Sequence, residues 1–278
     1  MRRIVKRINE ELAAHYTQGE CNAIARILLT ELLPFSTTEY ILKDEVTLTP
    51  EQEQLLTQAL ERAKRKEPVQ YILGYSDFCG LRFTVNSAVL IPRPETSELV
   101  EWIASSESNA ASILDIGTGS GCIAISLAHK LPSCKLHAWD ISSEALSVAQ
   151  ENSTSNGCKV IFKQRDILTY EPAEERYDVI VSNPPYIKEI EKQQMDDNVL
   201  LWEPHLALFV PDDNPLLFYR TIALKGFEML TPGGRIYFEI NRAHAADTIA
   251  MLQECGYHNI TLRKDFADND RMIRAEKA

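Results

Sequence analysis

No two cysteines in this chain stand close enough for a CxxC pair, and no cysteine–histidine cluster has zinc spacing, although six cysteines are present: Cys21, Cys79, Cys122, Cys134, Cys158 and Cys255. That excludes a zinc fold, and no metal site is expected. Free thiols in a reducing compartment are the simplest reading. No apolar run approaches the length needed to span a bilayer. The charged, amphipathic start lacks the apolar segment of a secretory signal. Together these absences point to a soluble cytoplasmic protein with no membrane role. Positive charge is also short. The chain has 29 Lys and Arg against 40 Asp and Glu, a net charge of −11, so direct nucleic-acid binding is not expected. The one basic cluster, Arg2, Arg3, Lys6 and Arg7, reads as the solvated face of a first helix. Internal repeats and low-complexity tracts are missing as well.

What is present is ample for a packed core: 278 residues, 45% of them apolar. Residues 1–67 read as a helical domain. Ile4, Val5, Ile8, Leu12 and Ala13 recur at helical spacing, as do Ile24, Ile27, Leu28 and Leu32, with Pro34 ending the second helix. Thr49-Pro50-Glu51-Gln52 is a helix start with a threonine cap, proline at the first position and a capping box. Leu55, Leu56, Ala59, Leu60 and Ala63 follow on one face. Such a domain either docks a partner or caps a larger domain. Residues 68–90 form a β-hairpin-like connector, with Tyr71-Ile72-Leu73-Gly74 and Leu81–Val85 as extended pieces. Ile91-Pro92-Arg93-Pro94-Glu95-Thr96 is then an ordered loop opening onto a helix, where Glu95 and Thr96 serve as caps or meet a ligand.

From Ser112 the pattern becomes strand–helix alternation. Strands are expected at Ser112–Ile116, Lys135–Trp139, Lys159–Lys163, Tyr177–Val181, Gly234–Ile240, His258–Arg263 and Met272–Arg274. Helices are expected at Ile123–Lys130, Glu144–Asn156, Leu216–Leu230 and Ala243–Cys255. The implied fold is an α/β domain over residues 91–278, with a mostly parallel sheet and helices on both faces. The last two strands have no helix between them and should form an antiparallel edge.

Two stretches carry the chemistry. Asp115-Ile116-Gly117-Thr118-Gly119-Ser120-Gly121 is a strand running into a glycine turn and a helix. Its G-x-G-x-G spacing is not the G-x-G-x-x-G of dinucleotide folds. Asp140 ends the next strand, where a carboxylate can accept ribose hydroxyls, and Asp166 follows the third, where side chains flank an adenine. Val181-Ser182-Asn183-Pro184-Pro185-Tyr186 ends the fourth strand in a rigid turn, because neither proline can donate to a ladder and both have fixed φ. There Asn183 and the Pro184 carbonyl can each take one N–H of a planar NH₂ group, with the Tyr186 ring over its face.

The glycine turn with Asp140 resembles class I (Rossmann-like) S-adenosylmethionine-dependent methyltransferases. Adding Asn183-Pro184-Pro185-Tyr186 makes the chain similar to enzymes that methylate planar amino nitrogens. Glu67-Pro68-Val69-Gln70-Tyr71-Ile72-Leu73-Gly74, Ile91–Thr96 and Glu203-Pro204 with Ala207-Leu208 resemble the PrmC/HemK family, which methylates class 1 peptide chain release factors. The resemblance implies a seven-stranded sheet, a helical substrate-docking domain and S-adenosyl-L-methionine as cofactor, leaving as S-adenosyl-L-homocysteine. It implies N5-methylation of the glutamine in a Gly-Gly-Gln motif, with a release factor as partner. Asn183, Pro184 and Tyr186 are then catalytic, and Pro185 joins them in binding the substrate. Gly117, Thr118, Gly119, Ser120 and Gly121 line the cofactor, Asp140 takes its ribose, Asp166 and Ile167 border the adenine, and Asn183 also approaches the cofactor. Asp115 either contacts the cofactor or orients the loop. Cys79 and Trp202 depart from the family's usual residues, as does Ile167 where some members place an aromatic. The acidic stretch 187–215, which holds Glu203, is either a functional flap or a disordered insertion. Two other readings stay open: methylation of an adenine or guanine amino group in nucleic acid, and a non-catalytic binding protein.

Overall fold

The computed structural model describes residues 1–33, 35–42 and 45–278. Pro34, expected to end the second helix, lies outside them. The chain forms two compact units, Met1–Tyr75 with Met195–Trp202, and Ser76–Gln194 with Glu203–Ala278. Among the described residues no helix is long and apolar enough to cross a membrane.

The first unit is built from α1 (Arg2–Leu12), α2 (Gln18–Ile27), α3 (Thr37–Leu42), α4 (Pro50–Lys64) and α5 (Val69–Leu73), with α9 (Asp197–Leu200) from the later segment. Capping boxes start α2 at Thr17–Glu20 and α4 at Thr49–Gln52, where Pro50 stands at the first helical position. Ile8, Leu12, Ala25, Leu28, Leu56, Ala59, Leu60 and Ala63 make its core. Leu55, expected on that face, is exposed, because the buried α4 stripe runs 56–59–60–63 and leaves 55 turned away.

The connector corrects the expectation of strand at Tyr71–Gly74. Val69–Leu73 is a helical turn that starts after Pro68 and ends at Gly74, whose φ of +82° makes a left-handed cap. Buried Tyr71 and Ile72 sit on it. The Arg62 guanidinium holds it by donating to both Glu67 carboxylate oxygens and to the Tyr71 and Ile72 carbonyls. The hairpin is real but shorter: β1 (Tyr75–Phe78) and β2 (Leu81–Thr84).

In the second unit α6 (Pro94–Ser106), β3 (Ser112–Ile116), α7 (Cys122–Lys130), β4 (Lys135–Asp140), α8 (Ser143–Ser155), β5 (Val160–Gln164) and β6 (Tyr177–Ser182) follow in turn. Then come the short pair β7 (Ile187–Lys188) and β8 (Phe209–Val210), α10 (Leu217–Met229), β9 (Leu230–Glu239), α11 (Ala245–Glu254), β10 (Tyr257–Lys264) and β11 (Asp270–Lys277). Seven strands form one sheet in the order β10-β11-β9-β6-β3-β4-β5. All pairs are parallel except those of β11 with β10 and β9, so the expected antiparallel edge is present. β9 begins earlier than expected: Leu230 pairs with Tyr177, then the register slips before Arg235 meets Val179.

Alternation along the strands assigns the two faces. Ile113, Val179, Val181, Tyr237 and Met272 pack with α6 and α7 residues such as Leu99, Ile103 and Ile123. Leu114, Ile116, Ile180, Ile236 and Phe238 pack with α10 and α11 residues such as Tyr219, Ile222 and Leu252. The same parity turns Asp115, Asn183 and Glu239 toward the α6/α7 side.

Candidate active site

Strand register sets the site. Ile116 pairs with Trp139 on one side and Ser182 on the other, and Ser182 pairs with Phe238. One residue on, Asp140, Gly117, Asn183 and Glu239 stand side by side at the carboxyl edge, where open α/β sheets bind ligands.

The glycine turn is fastened to β4. Gly117 and Thr118 donate their N–H groups to the Trp139 carbonyl at 2.8 and 3.0 Å, and Gly119 N–H donates to Asp140 Oδ2 at 2.8 Å. Its glycines do different jobs. A Cβ added at Gly117 or Gly119 would meet nothing within 4 Å, so both leave open space. At Gly121 it would lie 2.8 Å from Ile125 Cδ1 and 3.2 Å from Ala149 Cβ, so that glycine lets α7 close onto α8. Asp115 is fully buried and accepts the Thr118 hydroxyl at 2.6 Å through Oδ2, which fixes the loop. Burial pushes its carboxyl up to about 7, against the opposing Thr118 hydrogen bond. Ser120 is buried beside it in the turn.

Asp140 accepts Gly119 N–H on one oxygen and Ser142 N–H on the other, at 2.8 and 2.9 Å. Burial raises its pKa while these amides oppose the shift. A carboxylate offers about four lone-pair sites, so two remain for a diol. The open space over Gly117 and Gly119 and the spare acceptors of Asp140 fit the S-adenosylmethionine expected from the sequence.

Asp166 and Ile167 follow β5. The Asp166 carboxylate accepts Leu168 N–H at 2.9 Å and the Thr169 hydroxyl at 3.2 Å, closing its own turn. Ile167 is buried in the α10/α11 core with Trp139 and Tyr170 packed nearby.

The turn after β6 places Asn183 half-buried and Pro184 buried. Asn183 Nδ2 donates to Thr96 Oγ1 at 3.4 Å, and Thr96 Oγ1 donates to Glu239 Oε2 at 2.6 Å. The Tyr186 hydroxyl points at Glu239 Oε1, 3.5 Å away, and its carbonyl accepts from Asn241 Nδ2 at 3.4 Å. Burial raises the Tyr186 pKa, and the Glu239 charge adds to it. Burial also raises the Glu239 pKa, with the Thr96 hydroxyl and Arg271 opposing. Among the described residues no hydrogen bond reaches Asn183 Oδ1 or the Pro184 carbonyl.

Thr96 does not cap α6. Arg93 holds the cap position, and the Thr96 side chain turns instead to the sheet. Glu239 is the residue that sequence reasoning missed; Thr96, read as a cap or a ligand contact, turns to it. The available signal was an acid interrupting the apolar run 236–240 at the end of β9. Nor is the stretch 187–215 a disordered insertion: it carries short strands and helical turns. Glu203, 3% exposed, accepts Ile91 N–H at 3.2 Å and pairs with Arg93 at 2.6 Å. In the first unit, Trp202 Nε1 donates to the Arg65 carbonyl at 3.0 Å.

Two family models match the chain: the PrmC N-terminal domain over residues 3–74 and the methyltransferase small domain over residues 95–201. The chain is 44% identical to the release factor glutamine methyltransferase of Bacteroides thetaiotaomicron over 278 residues, covering 100% of both proteins. To the protein of the same name from Flavobacterium psychrophilum it is 42% identical over 270 residues, 95% of each. Among solved structures it is similar to a methyltransferase from Pyrococcus furiosus, with a TM-score of 0.55 and 17% identity over 83% of this chain and 100% of that one. A 16S rRNA N2 G1207 methyltransferase of T. thermophilus gives 0.53 and 17%, over 73% of this chain and 50% of its own. At such identities the two structures speak for the fold alone.

Proposed function

The chain belongs to the release factor glutamine methyltransferase family, and on that premise we propose that it methylates N5 of the glutamine in the Gly-Gly-Gln motif of class 1 peptide chain release factors, in the cytoplasm. The observation that carries this reading is a pair of acceptors, Asn183 Oδ1 and the Pro184 carbonyl, with no hydrogen-bond donor on them among the described residues. They stand one and two residues past β6, beside the glycine turn and Asp140.

Gly117 and Gly119, with Asp140 for the ribose, would hold S-adenosylmethionine, which would supply an electrophilic methyl group. What remains for the protein is orientation. A carboxamide nitrogen is a poor nucleophile because its lone pair is delocalised. Asn183 and Pro184 take its two N–H groups and so aim the lone pair. Tyr186 lies over the amide plane, its hydroxyl held by Glu239, and Pro185 shapes the turn. Alignment of this kind contributes several kcal/mol, up to about 7–11 in well-oriented systems. Acceptors on the nitrogen also stabilise the positive charge that develops there. Neither acceptor is a base, so the departing proton passes to water.

The test is transfer of labelled methyl from S-adenosylmethionine to a recombinant release factor, beside a copy whose motif glutamine is alanine. Label is expected only on the glutamine form, and Asn183→Ala should lower kcat about 10²–10³-fold. Label on DNA or RNA instead would replace the substrate, and no transfer at all would replace the enzyme by a binding protein.

A further inference from the structure

Asn183 is useful to a substrate NH₂ only if its oxygen, not its nitrogen, faces that group. An amide side chain is nearly symmetric in shape, so something must choose between its two ends. The choice is made by a chain of buried hydrogen bonds. Thr96 is 2% exposed and stands within hydrogen-bond reach of both Asn183 and Glu239. Glu239, also 2% exposed, faces a hydroxyl with each oxygen: Thr96 on Oε2 at 2.6 Å and Tyr186 on Oε1 at 3.5 Å.

A hydroxyl has one proton to give, and Glu239 as a carboxylate, the form that the Thr96 hydroxyl and Arg271 favour against burial, can only accept. With its proton committed to Glu239, Thr96 can only accept from Asn183. Asn183 must therefore turn Nδ2 inward, which leaves Oδ1 outward. We propose that Glu239, acting through Thr96, is a positioning residue that sets the amide orientation of Asn183 and thereby makes the turn an acceptor for the substrate's NH₂. Without that relay Asn183 can rotate and present its own NH₂, donor against donor. Strand register makes the relay possible: Glu239 is the neighbour of Asn183 along the carboxyl edge, and parity turns both toward α6, which carries Thr96.

The role of the relay in catalysis rests on the substrate reading above, so the test has one arm that does not depend on it. In ¹⁵N-labelled protein the Asn183 side-chain NH₂ pair is assigned by its disappearance in Asn183→Ala. It should shift in Thr96→Val and in Glu239→Gln, and stay in place in Thr96→Ser, which keeps the hydroxyl. An unchanged Asn183 resonance in Thr96→Val overturns the relay. In the second arm Thr96→Val should lower kcat on the release factor on the order of 100-fold, with S-adenosylhomocysteine affinity near the wild-type value, a melting temperature lowered by the lost Glu239 hydrogen bond, and with Thr96→Ser restoring both turnover and stability. Wild-type kcat in Thr96→Val, or a loss matched by an equal loss of S-adenosylhomocysteine affinity, would also overturn it. A wild-type protein that labels no release factor defeats the substrate reading instead, while the resonances still decide the relay.

Discussion

Gly119→Ala and Gly121→Ala remove glycines two positions apart in one turn, yet the structure predicts opposite phenotypes. Both residues have positive φ, +54° and +81°, so both variants carry left-handed strain of about 1–2 kcal/mol. At Gly121 the new Cβ also arrives 2.8 Å from Ile125 Cδ1 and 3.2 Å from Ala149 Cβ. The first neighbour is the end of a side chain and can move; the second is a methyl fixed on α8 and can yield only if the helix does. Overpacking of this kind adds about 1–3 kcal/mol. Gly121→Ala should therefore lose about 2–5 kcal/mol, a fall in melting temperature of roughly 2–4 °C per kcal/mol for a domain of this size. At Gly119 nothing lies within 4 Å of the added methyl, so the stability loss stays near 1–2 kcal/mol. There the methyl occupies the space assigned to the cofactor, and S-adenosylhomocysteine should bind at least about tenfold more weakly, or about 1.4 kcal/mol. Thermal unfolding and titration calorimetry on the two variants read both quantities. Equal destabilisation, or undiminished cofactor binding by Gly119→Ala, would refute the division of labour within the turn.

Glu203→Ala leaves Ile91 N–H without its acceptor and Arg93 without its partner, although Arg93 is a third exposed and can rehydrate. Losing hydrogen bonds to a charged acceptor costs about 1.5–3 kcal/mol each. Faster amide exchange in 187–194 and 203–215 should follow, with Glu203→Gln intermediate and unchanged exchange contradicting the anchor. The Asp115 carboxyl, at about 7 in the folded protein against an ordinary 3.8, holds a proton that the unfolded chain releases. Its stabilising contribution is full below pH 4 and is lost as pH rises through 7. Urea unfolding of Asp115→Asn should thus gain on the wild type between pH 5 and pH 8, by about 2–3 kcal/mol for the two units of the shift in that window; a pH-independent difference would contradict it.

Much of this was legible in the chain because it is local. Buried strands announce themselves as short apolar runs and the helices between them by period, and central strands such as β3 and β6 stand on those runs. Thr49-Pro50-Glu51-Gln52 caps its helix through contacts three residues apart. The glycine turn and the Asn183–Tyr186 turn follow from backbone restrictions that glycine and proline carry wherever they are placed. Val69–Leu73 gives no helical signal in the sequence because five residues are too few to show a period, and its helical form depends on Arg62 gripping the carbonyls of Tyr71 and Ile72.

Tertiary structure decided what no local pattern encodes. The Thr96–Glu239 hydrogen bond joins residues 143 apart and the Arg93–Glu203 pair residues 110 apart. No spacing rule connects such positions. Only the register of β6 against β9, and the parity that turns Glu239 toward α6, bring an acid from one strand to the hydroxyl that faces Asn183. The same holds for Gly121, a turn glycine by sequence and a packing glycine by the position of Ala149 on the next helix. The sequence by itself determined the fold and the chemical types at its edge. Which way those groups face, and which partner holds each, was settled by contacts that exist only once the sheet has closed, since side-chain orientation depends on neighbours brought together from distant parts of the chain.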